Sequence, residues 1–383
     1  MSKSINVPKL RFKAFSGEWG RKLFCDIVTN KSKKYNPEKE SISYKCIELE
    51  HLSTESGQLL GYVDSLNLGS IKNKFNKNDV LFGKLRPYLK KYLLAPFDGV
   101  CSSEIWVLNG INVTNYFLYY IVQSDYFIGL ANQSSGSKMP RADWNIIENS
   151  IFFIPSKQEQ EKIASFLASV DTKIEQLTKK EELLQQYKKG VMQKIFNQEI
   201  RFKADDGSNF CDWEEKKLGE IANITIGEFV IKTKQNPDAL YPVYNGGKTN
   251  TGFYNEYNNE GNQIIISARG ANAGFVNFEV RRYWAGNSCY SISMIDNSFY
   301  NINFYYYYIK HFENKFTDFQ QAANIPSVSK KEVNDFKVIT LKIEEQNKIA
   351  NFLSSIDTKI QQTQKQLESS KEFKKALLQQ MFV

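Results

Sequence analysis

Two histidines, His51 and His311, and five cysteines are what this sequence offers for metal or nucleophilic chemistry. Neither histidine lies at metal-ligand spacing from other donors. Cys25, Cys46, Cys101, Cys211 and Cys289 are scattered, odd in number and never arranged as CxxC, which argues against a disulfide framework or structural zinc. No Gly-x-Ser-x-Gly elbow or GxxxxGK[ST] phosphate loop occurs. Asn36-Pro37 runs into Glu38-Lys39 and Asn236-Pro237 into Asp238-Ala239, so neither makes the NPPY-type motif of adenine methyltransferases. Pro237-Asp238 with Asp335-Phe336-Lys337 is a distant match to a nuclease centre. The residue types therefore favour binding over catalysis.

Binding chemistry is better represented. The chain has 50 Lys and Arg against 42 Asp and Glu, a net charge of +8, which suits a polyanion because cations displace counterions from phosphates. Lys84, Arg86, Lys90 and Lys91 fall in a segment punctuated by Gly83 and Pro87, and Lys138 and Arg141 flank Met139-Pro140. Later, Asn245, Lys248 and Asn250 occupy a Gly-rich stretch, and Arg269 and Asn272 lie in an ARGANAG turn after an apolar run. Lys and Arg grip phosphates, while amides and guanidinium groups read base edges. Arg can bond guanine in two places at once, which favours Arg86 and Arg269.

These residues must be positioned by something, and the sequence shows what. Residues 155–196 align with 341–382 without a gap, identical at nineteen of forty-two positions around a shared EQ-x-KIA-x-FL-x-S-(V/I)-DTKI. Duplication is the sensible explanation. Both copies read as long helices. Ile163, Val170, Leu177, Leu184 and Val191 recur every seven residues, with Leu167, Ile174 and Ile195 between them and Glu181 and Lys188 as breaks. The second copy keeps Ile349, Leu353, Ile356, Ile360 and Leu367, then weakens at Thr363 and Ser370. Ser156 and Glu159 predict a capping box. Tyr187 and Phe373 are expected to take over the distal seam, Phe166 and Phe352 to lie one step off it as the candidate contacts to a partner subunit, and Asp171-Thr172-Lys173 and Asp357-Thr358-Lys359 to be solvated. Each helix would be about 60 Å long, suited to a spacer or a partner surface.

The repeat extends further. Arg11-Phe12-Lys13-Ala14 recurs as Arg201-Phe202-Lys203-Ala204, Trp19 parallels Trp213, and Pro140 parallels Pro326. Two α+β segments, 1–154 and 198–340, are thus each followed by a helix, 155–197 and 341–383. Helix-like stretches precede the two prolines, at Tyr116–Leu130 and Phe304–Phe319. The interiors between these frames barely resemble each other. No secretory signal or membrane-spanning run is visible, so a cytoplasmic location is expected.

This order of elements, with the PKLRF opening and KKLGEI at Lys216–Ile221, resembles the specificity subunits of Type I restriction-modification enzymes over essentially the whole chain. The resemblance implies two target-recognition domains, each reading half of a split site in double-stranded DNA, held apart by two antiparallel coiled-coil helices with a pseudo-twofold repeat. Half-sites about one duplex turn apart, ~34 Å, would share one face of the DNA. Two modification subunits carrying S-adenosylmethionine would dock on the helices and methylate adenine. Restriction subunits with ATP and Mg2+ would join them to cut. A coiled-coil scaffold displaying two protein-binding domains accounts equally for the repeat, and a self-contained nuclease is the remaining alternative.

Overall fold

The computed structural model describes residues 6–133, 139–316 and 326–383. The chain forms two compact units, residues 1–178 with 365–383, and residues 179–364. Each unit therefore owns part of both long helices, Lys157–Phe196 and Ile343–Met381. Within each unit, the start of one helix lies beside the end of the other, so the segments run antiparallel.

In the first unit, strand Gly20–Leu23 pairs antiparallel with Ile151–Ile154, closing the domain just before the central helix begins. A four-stranded antiparallel sheet runs in the order Val28–Thr29, Ile105–Gly110, Val80–Gly83, Tyr92–Leu94. A five-stranded mixed sheet holds Lys45–Ile47 parallel to Gly99–Cys101. The second unit repeats the plan. Glu214–Lys217 pairs with Lys337–Thr340, and four antiparallel strands run Ala222–Ile226, Cys289–Met294, Gln263–Ser267, Val276–Glu279. A smaller sheet holds Tyr241–Tyr244 parallel to Trp284–Ala285.

One expected helix is two. Asn115–Ile121 and Asp125–Ala131 are separated at Ser124, whose hydroxyl accepts from the Phe127 N–H and so caps the second helix. In the other unit Ile302–His311 gives way to a 3₁₀ turn, Glu313–Phe316; the rest of the expected stretch lies outside the described residues.

The heptad positions do pack, although as part of each domain's core. Ile163 and Leu167 are buried with Leu377, Met381, Phe117 and Trp19. Ile349, Leu353, Ile356 and Ile360 are buried with Met192, Ile195 and Phe304. Ile174 is half-buried and Thr363 fully buried. The aromatic continuation of the seam is overturned: Tyr187 and Phe373 are both 52% exposed. Polar pairs replace it. Gln364 donates to Glu181, so that break in the heptad is a cross-helix hydrogen bond.

The duplicated polar residues turn out to be joints. Glu159, 1% exposed, accepts from Arg11 Nε and Nη2 at 2.7 and 2.8 Å and from Trp19 Nε1 at 3.3 Å. Glu345, 0% exposed, accepts from Arg201 at 3.2 and 3.0 Å and from Trp213 Nε1 at 3.1 Å. The expected capping box is consequently half-formed: the Ser156 hydroxyl accepts from the Glu159 N–H, while the carboxylate is taken by Arg11 and Trp19. Gln160 and Gln346 are also buried, accepting from the Thr114 and Asn301 N–H groups and donating to the Pro155 and Leu341 carbonyls.

Asp171 and Asp357 are not the solvated groups expected. Asp171 accepts from Tyr120 Oη at 2.9 Å and pairs with Lys374 at 2.7 Å. Asp357 accepts from Tyr307 Oη at 2.8 Å and pairs with Lys188 at 2.6 Å. Thr172, Lys173, Thr358 and Lys359 are exposed as expected. Burial, reinforced by the carboxylate, pushes both phenol pKa values up, so each tyrosine remains a donor. Each unit thus clamps its domain to both helices through one Tyr–Asp–Lys set.

Candidate nucleic-acid interface

The first unit gathers its cations on the loop between strands Val80–Gly83 and Tyr92–Leu94. Arg86 has φ 52° and ψ 61°, Lys90 has φ 47° and ψ 52°, and between them Pro87–Leu89 makes a 3₁₀ turn with Pro87 in its first position. Both cations are therefore in the left-handed region, which costs a residue with a Cβ about 1 kcal/mol or more. Glu55, at φ 59°, joins them: its N–H donates to the Lys90 carbonyl and its carboxylate lies 3.3 Å from Lys90 Nζ. Three of the six left-handed non-glycine residues among the described residues thus meet at this loop.

The loop is anchored by backbone. The Arg86 N–H donates to the Pro140 carbonyl at 2.8 Å, and the Ala142 N–H donates to the Lys84 carbonyl at 2.8 Å. The candidate cations differ in commitment. Lys91 donates to the Leu49 carbonyl at 2.6 Å, tying two loops together. Arg141 pairs with Glu104 at 3.0 Å. Lys84 and Arg86 make no side-chain hydrogen bond or ion pair among the described residues, and Arg86 is exposed. Tyr88, absent from the sequence-level candidates although inside the same segment, stands 52% exposed between them and Lys90. Lys138 lies outside the described residues.

The second unit repeats the anchor with different side chains. The Gly270 N–H donates to the Pro326 carbonyl at 3.0 Å, and the Val328 N–H donates to the Ala268 carbonyl at 2.8 Å. A bridge between Arg269 and Ser327 matches one between Leu85 and Arg141. Lys84, Leu85 and Arg86 thus occupy the backbone positions of Ala268, Arg269 and Gly270. Gly270 has φ +87°, positive as in Arg86, which takes a positive φ while carrying a side chain.

Arg269 is exposed and lies near Tyr290, whose phenol burial pushes up and the guanidinium pulls back down. The neighbouring loop, residues 245–250, is drawn close. The Gly247 carbonyl accepts from Ser267 Oγ at 3.1 Å and Asn277 Nδ2 at 3.4 Å. A Cβ on Gly246 would meet the Arg269 carbonyl at 3.0 Å, so this approach needs glycine. Asn245 accepts from the Ser288 N–H, Asn250 donates to the Gly252 carbonyl, and Lys248 lies 5.8 Å from the Phe275 ring centroid. Lys310 covers the same ring at 3.7 Å. Asn272 is half-buried in the turn with Arg269. The structure thus brings Asn245, Lys248, Asn250, Arg269 and Asn272 onto adjoining loops. Nearly all of the +8 net charge nevertheless falls in the first unit.

Elsewhere the histidines are structural. His51 Nδ1 accepts from the Glu48 N–H, and the His311 ring packs at a tilt against Phe196. Asp335 pairs with Lys217 and Lys337 with Glu215. Among the described residues, no three His, Cys, Asp or Glu side chains gather as a metal site, and no helix is long and apolar enough to cross a membrane. Phe166 and Phe352, off the seam as expected, are each covered edge-on by Phe12 and Phe202 at 5.6 and 5.7 Å.

Known proteins resemble this chain in sequence and in fold. A protein of Mycoplasma genitalium provisionally named a type I specificity subunit is 25% identical over 82% of this chain and 85% of its own. The specificity subunit named for the type I restriction enzyme MjaX of Methanocaldococcus jannaschii, also provisionally named, is 25% identical over 98% of this chain and 95% of its own. In fold, the crystal structure of a Type I restriction-modification S subunit from M. genitalium superposes with a TM-score of 0.69 at 19% identity, covering 98% of this chain and 99% of that one. The Type I restriction modification DNA specificity domain matches residues 22–185 and again 211–369, and the chain belongs to that family.

Proposed function

We propose that this chain is the DNA-reading subunit of a Type I restriction-modification complex, with each unit reading one half of a bipartite duplex site and no catalytic step of its own. The observation that carries the reading is the matched pair of loops, each hung from a proline carbonyl and presenting an uncommitted arginine. Such a loop presents donors to a groove while its backbone stays fixed. Lys84, Lys90 and Lys248 are suited to phosphates, and Asn245, Asn250 and Asn272 to base edges or sugar.

The chemistry would reside on partners: modification subunits with S-adenosylmethionine, and restriction subunits with ATP and Mg2+. The edge-on aromatic pairs Phe12–Phe166 and Phe202–Phe352 occur one in each unit, with ring centroids 5.6 and 5.7 Å apart. A surface present twice suits two copies of one partner, which supports two modification subunits per chain. The complex would work in the cytoplasm, where the DNA is.

The test is sequencing of methylated adenines in the host genome, with and without this gene. A split motif that vanishes on deletion and returns with the gene is expected. A motif unaffected by deletion would refute the reading and favour a protein-binding scaffold.

A further inference from the structure

We propose that Arg86 is the guanine-specifying side chain of the first unit, held in a strained backbone position for that purpose; this rests on the DNA-reading function above. The second unit shows that the fold asks for no side chain at this position. Gly270 occupies it, with the same hydrogen bond to a proline carbonyl and the left-handed backbone that glycine adopts freely. Arg86 accepts a steric penalty that glycine would remove, and its side chain makes no compensating hydrogen bond or ion pair among the described residues. Strain of this kind persists where surrounding structure enforces a required geometry.

The geometry selects base reading over phosphate gripping. A phosphate contact tolerates a long mobile side chain and needs no fixed Cβ direction, and Lys84, which makes no side-chain ion pair among the described residues, can supply it. Arg86 is fixed from both sides. Its N–H is pinned to Pro140, and Pro87 sets the next φ. Beyond the turn, Lys90 is held by Glu55 through both backbone and side chain. The left-handed backbone therefore fixes the direction in which the Arg86 side chain leaves the loop. A planar five-donor fork carried on an exposed, unpaired side chain from that fixed point matches the paired N7 and O6 acceptors of guanine in the major groove. In the second unit the exposed arginine is one position earlier, at Arg269. The two loops therefore read from different points on one frame.

The experiment selects bound duplexes from a random library. It uses the full chain co-purified with its partner subunits, as wild type, Arg86→Gly and Arg86→Lys. Wild type is expected to select a split motif with a guanine in one half. Both variants should lose preference for that guanine by about tenfold to a hundredfold, leaving the other half of the motif unchanged. Replacing that guanine by 7-deazaguanine should weaken wild type and leave Arg86→Gly indifferent. Hydrogen exchange in Val80–Gly83 and Tyr92–Leu94, the strands flanking the loop, should be no faster in Arg86→Gly than in wild type. Retained guanine preference, an equal loss at every position, or exchange in those strands accelerated about tenfold or more would each overturn the proposal. A wild-type complex selecting no motif would overturn the DNA-reading function itself.

Discussion

Arg201→Met should be among the more damaging single substitutions outside the hydrophobic core. Glu345 is fully buried and holds a charge with three donors, two of them from Arg201. Removing the guanidinium leaves a buried carboxylate with the Trp213 N–H alone, a change that costs about 3–5 kcal/mol. The reverse substitution is milder. Arg201 is 25% exposed, also donates to the Cys211 carbonyl, and can return to water, so Glu345→Gln should cost about 1–2 kcal/mol. The double variant removes charge and counter-charge together and should be more stable than Arg201→Met alone, with a coupling of at least about 2 kcal/mol. Because the chain has two units, a single unfolding midpoint is a poor measure. Hydrogen exchange at Glu214–Lys217 and Lys337–Thr340, the strand pair beside this joint, reports local opening. At 1.4 kcal/mol per decade, Arg201→Met should speed exchange there by about a hundredfold or more. The strand pair Gly20–Leu23 with Ile151–Ile154 has its own joint at Arg11 and Glu159 and should be unaffected. Acceleration below tenfold, or additive losses in the double variant, would refute the argument that the joint is a buried charge held by its partner.

Two further outcomes follow from burial. At pH 8 a thiol-alkylating reagent should modify exposed Cys25 and Cys211 quickly and spare the rest in the folded chain. Burial holds Cys46 at about 12, Cys289 at about 11 and raises Cys101 as well, so these remain neutral thiols; mass spectrometry showing rapid labelling of Cys289 would contradict this. His311 has its pKa lowered by burial and by Lys315, so the unfolded chain binds its proton more readily than the folded one. Its contribution should therefore be undiminished above the unfolded value near ~6.5 and erode as pH falls through that value toward the depressed folded one. His311→Gln should flatten the pH dependence of exchange in Ile302–His311 between pH 7 and 5, and an unchanged slope would remove His311 as its source.

The frame was legible and the joints were half-legible, for a physical reason. A helix that must meet a second helix and a domain keeps apolar residues at fixed intervals, so Ile163, Leu167, Ile349 and Leu353 announce themselves. A buried carboxylate needs a partner that is distant in sequence, and periodicity contains no record of it. Glu159 therefore read as a cap, and Asp171 and Asp357 as solvated, until Arg11, Trp19, Lys374 and Lys188 were in place. The apolar character of Tyr187 and Phe373 suggests burial, whereas both are exposed and Lys188 and Lys374 reach Asp357 and Asp171 from the next positions. The repeat held the missing signal, since the aspartates and lysines recur together in both copies.

The loops diverge because of how they are anchored. Each is fixed by N–H and carbonyl groups: Arg86 and Gly270 to Pro140 and Pro326, Ala142 and Val328 to Lys84 and Ala268. Backbone groups are the same whatever the side chain, so identity at these positions is free to change while the loop stays in register. Proline constrains its own φ and leaves its carbonyl available, which makes it a suitable fixed acceptor. The joints work the opposite way. Glu159 and Glu345 are held by side chains, and losing Arg11 or Arg201 would strand a buried charge, so both copies retain the same residues. Side-chain anchoring where the units meet their helices, and backbone anchoring where the loops face outward, lets one frame carry two different readings. The exception tests the rule: Arg86 departs from the glycine its position favours, so the reason for its presence lies in what its side chain meets.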